Sequence, residues 1–152
     1  MKDGLKSGLK RMERLVQIRQ TYVSVAESGV KTAEHEVRTL EAAEGKVDGN
    51  IQDTRAEIAY RQTATGHDLQ TGERYIQALQ TQRKLIQQSL DTATGNLEQR
   101  RRDWTEAMRE QKVVEKMQER RLHQWERADS VEVQKQQDDA SVGRYVRTQQ
   151  KH

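Results

Sequence analysis

Apolar residues recur at alternating intervals of three and four along the first half of the chain. This spacing is the heptad pattern of a helix that buries one narrow seam against another helix. Twelve of the fifteen seam positions are apolar, and the full set is Leu9, Met12, Val16, Arg19, Val23, Ala26, Val30, Ala33, Val37, Leu40, Glu44, Val47, Ile51, Thr54 and Ile58. A disordered chain would not hold this register, so the pattern predicts one long helix over about residues 5–62.

The second half of the chain carries another seam of the same spacing. Twelve of its eighteen positions are apolar, and the full set is Leu69, Gly72, Ile76, Leu79, Arg83, Ile86, Leu90, Ala93, Leu97, Arg100, Trp104, Ala107, Gln111, Val114, Gln118, Arg121, Trp125 and Ala128. The pattern predicts a second long helix over about residues 68–140. Residues beyond Ala128 would lie past the start of the first helix, so we expect that tail to fray or to make an oligomer contact.

Turn and capping residues are concentrated between the two seams, in RQTATGHDLQTGERY at residues 61–75. Gly66 is suited to end the first helix in a left-handed conformation, and Asp68 or Thr71 to cap the second. The turn is therefore predicted at about residues 63–68.

Two helices joined by such a turn bury their seams best by packing on each other. The predicted fold is all-α, with two long helices in an antiparallel coiled-coil hairpin that forms a single domain over residues 1–152. A turn centred near Gly66 would place Trp104 opposite Ser28 and Gly29, whose small side chains leave room for an indole. The predicted core pairs Val23, Val30, Val37, Leu40, Val47 and Ile51 with Leu79, Ile86, Leu90, Leu97 and Trp104.

Composition supports helices with a thin core. The chain is 32% hydrophobic and 34% charged, and it has no Phe, Pro or Cys. Such a chain cannot fill a globular interior, and the absence of proline leaves helical hydrogen bonding uninterrupted. The start lacks the apolar segment of a signal peptide, and no window has the length of a membrane span. These features predict a soluble protein of the cytoplasm.

Residues that could carry catalysis or bind a metal are scattered. The four histidines, at 35, 67, 123 and 152, are far apart, and AEHEV around His35 lacks the second histidine of a zinc-protease helix. The chain has no glycine-rich phosphate loop, and a pair of helices offers no pocket that shields reacting groups. We therefore expect no enzyme activity, no cofactor and no metal site.

Charge is distributed unevenly, although the net charge is only +3. Residues 1–19 carry a net +4 and residues 100–127 a net +3, whereas residues 27–57 carry a net −4. In the hairpin the two basic segments meet at the open end, and the acidic segment lies nearer the turn. This polarity suits docking of each end to a different protein.

Basic groups mixed with surplus apolar residues are typical of a docking surface, because charges steer a partner and apolar side chains anchor it. Leu15, Ile18 and Tyr22 widen the apolar surface at the open end. The candidate binding residues there are Arg11, Arg14, Arg19, Arg120, Arg121, Trp125 and Arg127. Those in the loop half are Glu36, Leu40, Tyr60 and Tyr75. Arg121 occupies a seam position, so its stem should pack while its guanidinium reaches water or a partner.

Two other functions fit the same residues. Arg100, Arg101 and Arg102 could contact phosphates, which would make the protein a nucleic-acid-binding module, but the low net charge and scarce aromatic residues favour a protein partner. The exposed seam residues could also let the hairpin dimerise into a longer filament.

Residues 113–146 read VVEKMQERRLHQWERADSVEVQKQQDDASVGRYV, with the acidic pair Asp138 and Asp139 before an apolar end. This segment resembles the C-terminal part of the FliJ family of the flagellar protein export apparatus. Residues 9–44, LKRMERLVQIRQTYVSVAESGVKTAEHEVRTLEAAE, look like its first helix. The chain departs from the family pattern at Asp139, where Glu is usual, and at Gly143, which weakens the terminal helix.

The resemblance implies a non-catalytic stalk similar to the central stalk of rotary ATPases. Family members bind the hexameric export ATPase, contact the export gate in the membrane and assist export chaperones. The basic open end would then enter the ATPase ring, and the protein would be cytoplasmic and peripheral to the membrane through the export apparatus. The stalk proteins of virulence-type secretion, the YscO group, share this size and architecture and are an alternative.

Overall fold

The structure, a computed structural model, describes residues 2–61 and 65–150. They form two helices, α1 at Lys2–Tyr60 and α2 at Gly66–Gln150. These described ranges contain no strand, and the helices pack against each other antiparallel, so the predicted all-α hairpin is confirmed.

The helix bounds differ from the predicted ones mainly at the C-terminal end. α2 continues about ten residues past the predicted end near 140. No proline interrupts this segment, Gly143 is tolerated within the helix, and Arg147 lies in the last turn, where a cation is favourable. Of the turn predicted at 63–68, Thr63 and Ala64 lie outside the described residues.

The contacts divide the chain into two compact units. We call them the terminal unit, Met1–Ser24 with Glu106–His152, and the turn unit, Val25–Thr105. Each unit contains a part of α1 and a part of α2. The assignment of residues 1–152 to a single domain stays a prediction.

The turn unit contains two apolar clusters. Val47, Ile51, Ile76 and Leu79 form the first, and Ile58 and Ile86 pack against it. Val30, Ala33 and Leu97 form the second, and Val37 and Trp104 pack against it. Both clusters join residues of α1 to residues of α2. Residue numbers increase along one helix as they decrease along the other, as antiparallel packing requires.

The terminal unit buries fewer side chains. Met12 is 2% exposed and Val16 is 9% exposed, and the described part of this unit has no other buried apolar residue. Arg19 of α1 pairs with Glu110 of α2, and the Arg19 Nη1 atom lies 2.6 Å from the Glu110 Oε2 atom. This contact joins residues of α1 and α2 that lie opposite each other in the antiparallel pair.

The predicted seams account for the whole buried core of the described chain. Every buried residue lies at a seam position, and every residue of the predicted core is buried or half-buried. Leu90, whose exposure would have contradicted the register of α2, is half-buried. Leu69, Arg100 and Arg121 are the exposed seam positions.

The start of α2 is capped differently from the prediction. The backbone N–H of Asp68 donates to the Thr65 hydroxyl at 3.1 Å, and the backbone N–H of Thr65 donates to the Asp68 carboxylate at 3.2 Å. Thr65 is therefore the N-cap and Asp68 completes a reciprocal capping pair, because each side chain satisfies the other residue's backbone donor. Gly66 has no positive φ and begins α2 instead of ending α1.

Glycines of α1 make room for arginines of α2. The expectation that the Trp104 indole fills the space at Gly29 is therefore wrong. The space at Gly29 is filled by Arg100, whose Cδ atom would lie 3.5 Å from an added Cβ. Trp104 packs on the Val30, Ala33 and Leu97 cluster instead. The same arrangement recurs three heptads away, where the Arg121 Nη1 atom would lie 3.3 Å from a Cβ on Gly8.

Candidate protein-binding surfaces

Five large apolar side chains of the terminal unit are left half in water. They are Leu15, Ile18, Tyr22, Val113 and Met117, with exposures of 43%, 49%, 56%, 53% and 41%. We call this set the apolar stripe. A monomeric protein exposes isolated apolar residues freely, but a contiguous group marks an interaction surface.

Heptad geometry places the stripe on one side of the helix pair. Each stripe residue comes immediately before a seam position in its own helix. Two antiparallel helices are related by a twofold axis that passes between them and is perpendicular to both. Rotation about this axis exchanges the two helices but leaves each side of the helix pair in place. Residues with the same offset from the seam therefore lie on the same side, which we call the stripe side.

Arg19 joins this side through its contacts. Its guanidinium pairs with Glu110 and lies 5.7 Å from the ring centroid of Tyr22, within cation–π range. Both Glu110 and Tyr22 come immediately before seam positions, so the Arg19 side chain turns to the stripe side. Its side chain is 36% exposed and that of Glu110 is 46% exposed, so a partner can reach both.

The other predicted arginines of the terminal unit divide into two groups. Arg11, Arg120 and Arg127 are exposed and come immediately before seam positions, and Arg121 reaches the stripe side over Gly8. Arg14 lies two positions before a seam residue and faces away from the helix pair. Trp125 is half-buried in the seam. The structure therefore gathers five of the seven predicted residues on one side.

The opposite side of the terminal unit has a different character. It holds a surface groove of about 510 Å³ lined by Lys6, Leu9, Lys10, Glu13, Glu115, Gln118, Glu119 and Leu122. Charges of both signs border this groove, and Leu122 is its exposed apolar residue. The two sides of the same unit thus present an arginine-flanked apolar surface and a mixed-charge groove.

The predicted residues of the turn unit are less concentrated. Tyr60 ends α1 and is 86% exposed, whereas Tyr75 is 51% exposed and lines a groove of about 340 Å³ beside the start of α2. Glu36 is exposed and Leu40 is half-buried, and both lie two heptads or more before Tyr60 in α1. The groove also includes Asp68, which belongs to the cap.

The cap has an electrostatic consequence within this groove. The pKa of Asp68 lies below its usual value because its carboxylate accepts a hydrogen bond from the Thr65 backbone. The Thr65 side chain and the nearby Arg61 and His67 lower this pKa further. Asp68 is therefore charged at neutral pH, and it adds negative charge to the first turn of α2, where the helix dipole favours an anion.

Two features that would point to other functions are missing from the described ranges, 2–61 and 65–150. Three His, Asp or Glu side chains do not come together there in a group that could hold a metal ion. Neither described helix is long and apolar enough to cross a membrane.

Comparison with known families decides what kind of protein carries these surfaces. Residues 9–150 match the family described as flagellar FliJ protein, which is nearly the whole chain. The chain belongs to the FliJ family. Searches of curated proteins and of solved structures each gave no match. As a FliJ-family protein it is a component related to flagellar protein export, and the family is a non-enzymatic one.

The family match covers every candidate residue on both surfaces of this FliJ-family protein. Sequence reasoning found the α1 half of the stripe but missed Val113 and Met117 of α2. The signal was present, because both come immediately before seam positions, as Leu15, Ile18 and Tyr22 do. It was hidden because the next residues that come immediately before seam positions, Arg120 and Gln124, are polar.

Proposed function

We propose that this protein is a non-enzymatic coupling factor of the flagellar type III export apparatus. In this proposal the terminal unit binds the hexameric export ATPase, and the turn unit contacts the export gate through the surface with Tyr60 and Tyr75. The protein also assists export chaperones, and it stays on the cytoplasmic face of the membrane through its protein partners. The observation that carries the proposal is the family match over residues 9–150.

The charge of the two units supports a division of labour between them. The terminal unit contains sixteen basic and eleven acidic residues, a net of +5, and the turn unit contains eleven basic and thirteen acidic residues, a net of −2. Opposite net charges favour different partners and faster encounter with each. The apolar stripe adds anchoring side chains to the basic unit, which is the combination that a stable docking surface needs.

The proposal is tested by capture of the cognate export ATPase on the purified protein. The double charge reversal Arg120→Glu/Arg121→Glu should abolish capture, because it replaces two positive charges of the proposed docking surface with negative ones. Both arginines are exposed, so the buried core should stay intact. The matched control reverses two exposed charges of the turn unit, Glu36→Arg/Glu41→Arg, and should leave capture unchanged. Circular dichroism of both variants verifies that the helices are intact.

Two results would contradict the proposal. Loss of capture only with the turn-unit variant would mean that the two units have been assigned to the wrong partners. Tight, salt-dependent binding to DNA that Arg120→Glu/Arg121→Glu abolishes, without any capture of the ATPase, would favour the nucleic-acid-binding module instead.

A further inference from the structure

The apolar stripe is the part of the terminal unit whose chemistry defines a partner most narrowly. Its five side chains come from both helices, so they flank the shallow channel that any two packed helices leave between them on the stripe side. A third helix laid along that channel would bury them in the way that a helix fills an apolar groove. An extended strand would gain nothing comparable, because a helical surface has no free backbone edge with which it could pair.

The charges around the channel specify the flanks of the incoming helix. Arg11, Arg120, Arg121 and Arg127 lie on the stripe side. Two acidic residues of that side, Glu110 and Glu106, are already paired with Arg19 and Arg109. A partner helix with carboxylates beside its apolar face would form charge-assisted contacts with these guanidinium groups. A partner helix flanked by lysines would meet four like charges.

A second copy of this chain fits the stripe poorly. The five half-exposed side chains of the stripe offer an accessible area of only a few hundred Å². A stable protein interface buries roughly 800 Å² on each partner. Each terminal unit also carries a net +5, so two copies meeting there would repel. A partner that reaches both the stripe and the arginines escapes both objections.

We infer that the stripe side binds an amphipathic helix of a partner protein whose apolar face is flanked by Asp or Glu. The opposite side, with its mixed-charge groove, takes no part in this contact. The inference rests on the proposed function for the identity of that partner, the export ATPase, whereas the chemistry of the helix comes from the stripe itself.

The test uses a synthetic acidic probe and a matched basic one. The probe is a labelled helical peptide with leucines at seam spacing and glutamates beside them, and the matched peptide has lysine at each glutamate position. Fluorescence anisotropy should show binding of the acidic peptide to the full-length protein and at least about tenfold weaker binding of the basic peptide. Equal binding of the two peptides, or of neither, overturns the inference.

The variants separate the two sides of the terminal unit. Ile18→Gln/Val113→Gln/Met117→Gln changes three half-exposed stripe residues and should weaken binding of the acidic peptide by about tenfold or more. Leu122→Gln changes an equally exposed residue on the groove side, at 43%, and should leave binding unchanged. Equal weakening by both variants would overturn the assignment to one side.

Two further measurements keep this inference distinct from the proposed function. If the wild type captures the export ATPase and the triple stripe variant captures it equally well, the inference fails and the proposed function stands. If the wild type captures no ATPase, the proposed function fails and the peptide measurements alone decide the inference. Analytical ultracentrifugation should show a monomer, and a dimer that the stripe variant dissociates would identify a second copy as the occupant and overturn the inference.

Discussion

The turn unit and the terminal unit are similar in size but handle their apolar residues differently. The turn unit has eight buried apolar residues and five large exposed ones, whereas the described part of the terminal unit has two buried and eleven large exposed ones. Their net charges, −2 and +5, also differ in sign. The difference indicates that the turn unit supplies most of the stability of the hairpin, and that the terminal unit leaves apolar surface available for a partner.

Substitution of one apolar residue in each unit, buried in the turn unit and exposed in the terminal unit, gives the strongest test of this comparison. Leu97→Ala removes a buried side chain of the turn unit and should lower the free energy of unfolding by about 2–3 kcal/mol, because the two-helix seam leaves a cavity that can only partly collapse. Val113→Ala in the terminal unit should change it by less than about 0.5 kcal/mol, because Val113 is 53% exposed. Urea unfolding followed by far-UV circular dichroism measures both. Equal losses would end the distinction between the units.

The capping pair tests whether the start of α2 contributes to the stability of the turn unit. Thr65→Ala removes the N-cap oxygen that accepts the Asp68 N–H and should cost about 1 kcal/mol. Thr71→Ala, the matched control in the next turn, should be neutral or slightly stabilising, since alanine is the better helix former there. Thermal unfolding distinguishes the two. A loss with Thr71→Ala and none with Thr65→Ala would mean that the cap is assigned to the wrong residue.

Two glycines of the turn unit sharpen the comparison through packing. Gly95→Ala should stabilise the protein by up to about 1 kcal/mol, because an added Cβ meets no atom within 4 Å and glycine is a poor helix former. Gly72→Ala should stabilise it less or not at all, because its Cβ would lie 3.2 Å from the Ile58 Cγ1 atom and closer to the Cδ1 atom. Denaturant midpoints rank the variants. Gly72→Ala/Ile58→Val should recover part of the missing gain, and no recovery would mean that Ile58 is not the obstacle.

The pH dependence of the cap is the smallest expected effect. The pKa of Asp68 is lowered in the folded protein, so its contribution to stability is present above the ordinary pKa of a free aspartate and is lost as pH falls through the lower folded value. Asp68→Ala should therefore unfold at a lower temperature than the wild type near neutral pH. The difference between them should shrink as pH falls below the ordinary pKa of a free aspartate and the Asp68 carboxylate becomes protonated. A constant difference across this range would contradict the role of the carboxylate charge.

The positions of the core could be predicted from the sequence because a heptad pattern fixes which side of each helix meets the other. Val30, Val47, Leu79 and Leu97 were assigned to the core by spacing alone, and all are buried. The register between helices could not be predicted as well, since it depends on the turn. Thr65 caps α2 earlier than expected, and the space at Gly29 takes Arg100 in place of the indole of Trp104.

The candidate surface was predictable only in part, for a similar reason. Arg11, Arg120 and Arg127 could be proposed from charge, but their common side becomes evident only when the seam is used as a reference for both helices. The path of Arg121 over Gly8 could not be predicted, because a flexible side chain at a seam position can leave toward either side. A glycine in the facing helix decides which side it takes.

The pairing of Arg19 with Glu110 also bears on the order in which the hairpin folds. These residues are 91 apart in sequence, whereas Ile58 and Gly72 meet across only fourteen residues near the turn. If each contact formed alone, closing the loop between Arg19 and Glu110 would cost about 1.7 kcal/mol more in chain entropy than closing the loop between Ile58 and Gly72. Folding should therefore begin in the turn unit and proceed toward the chain ends, and unfolding should begin at the ends. The unit with the surface for a partner is thus the last to form, so a partner that binds it also slows the first step of unfolding.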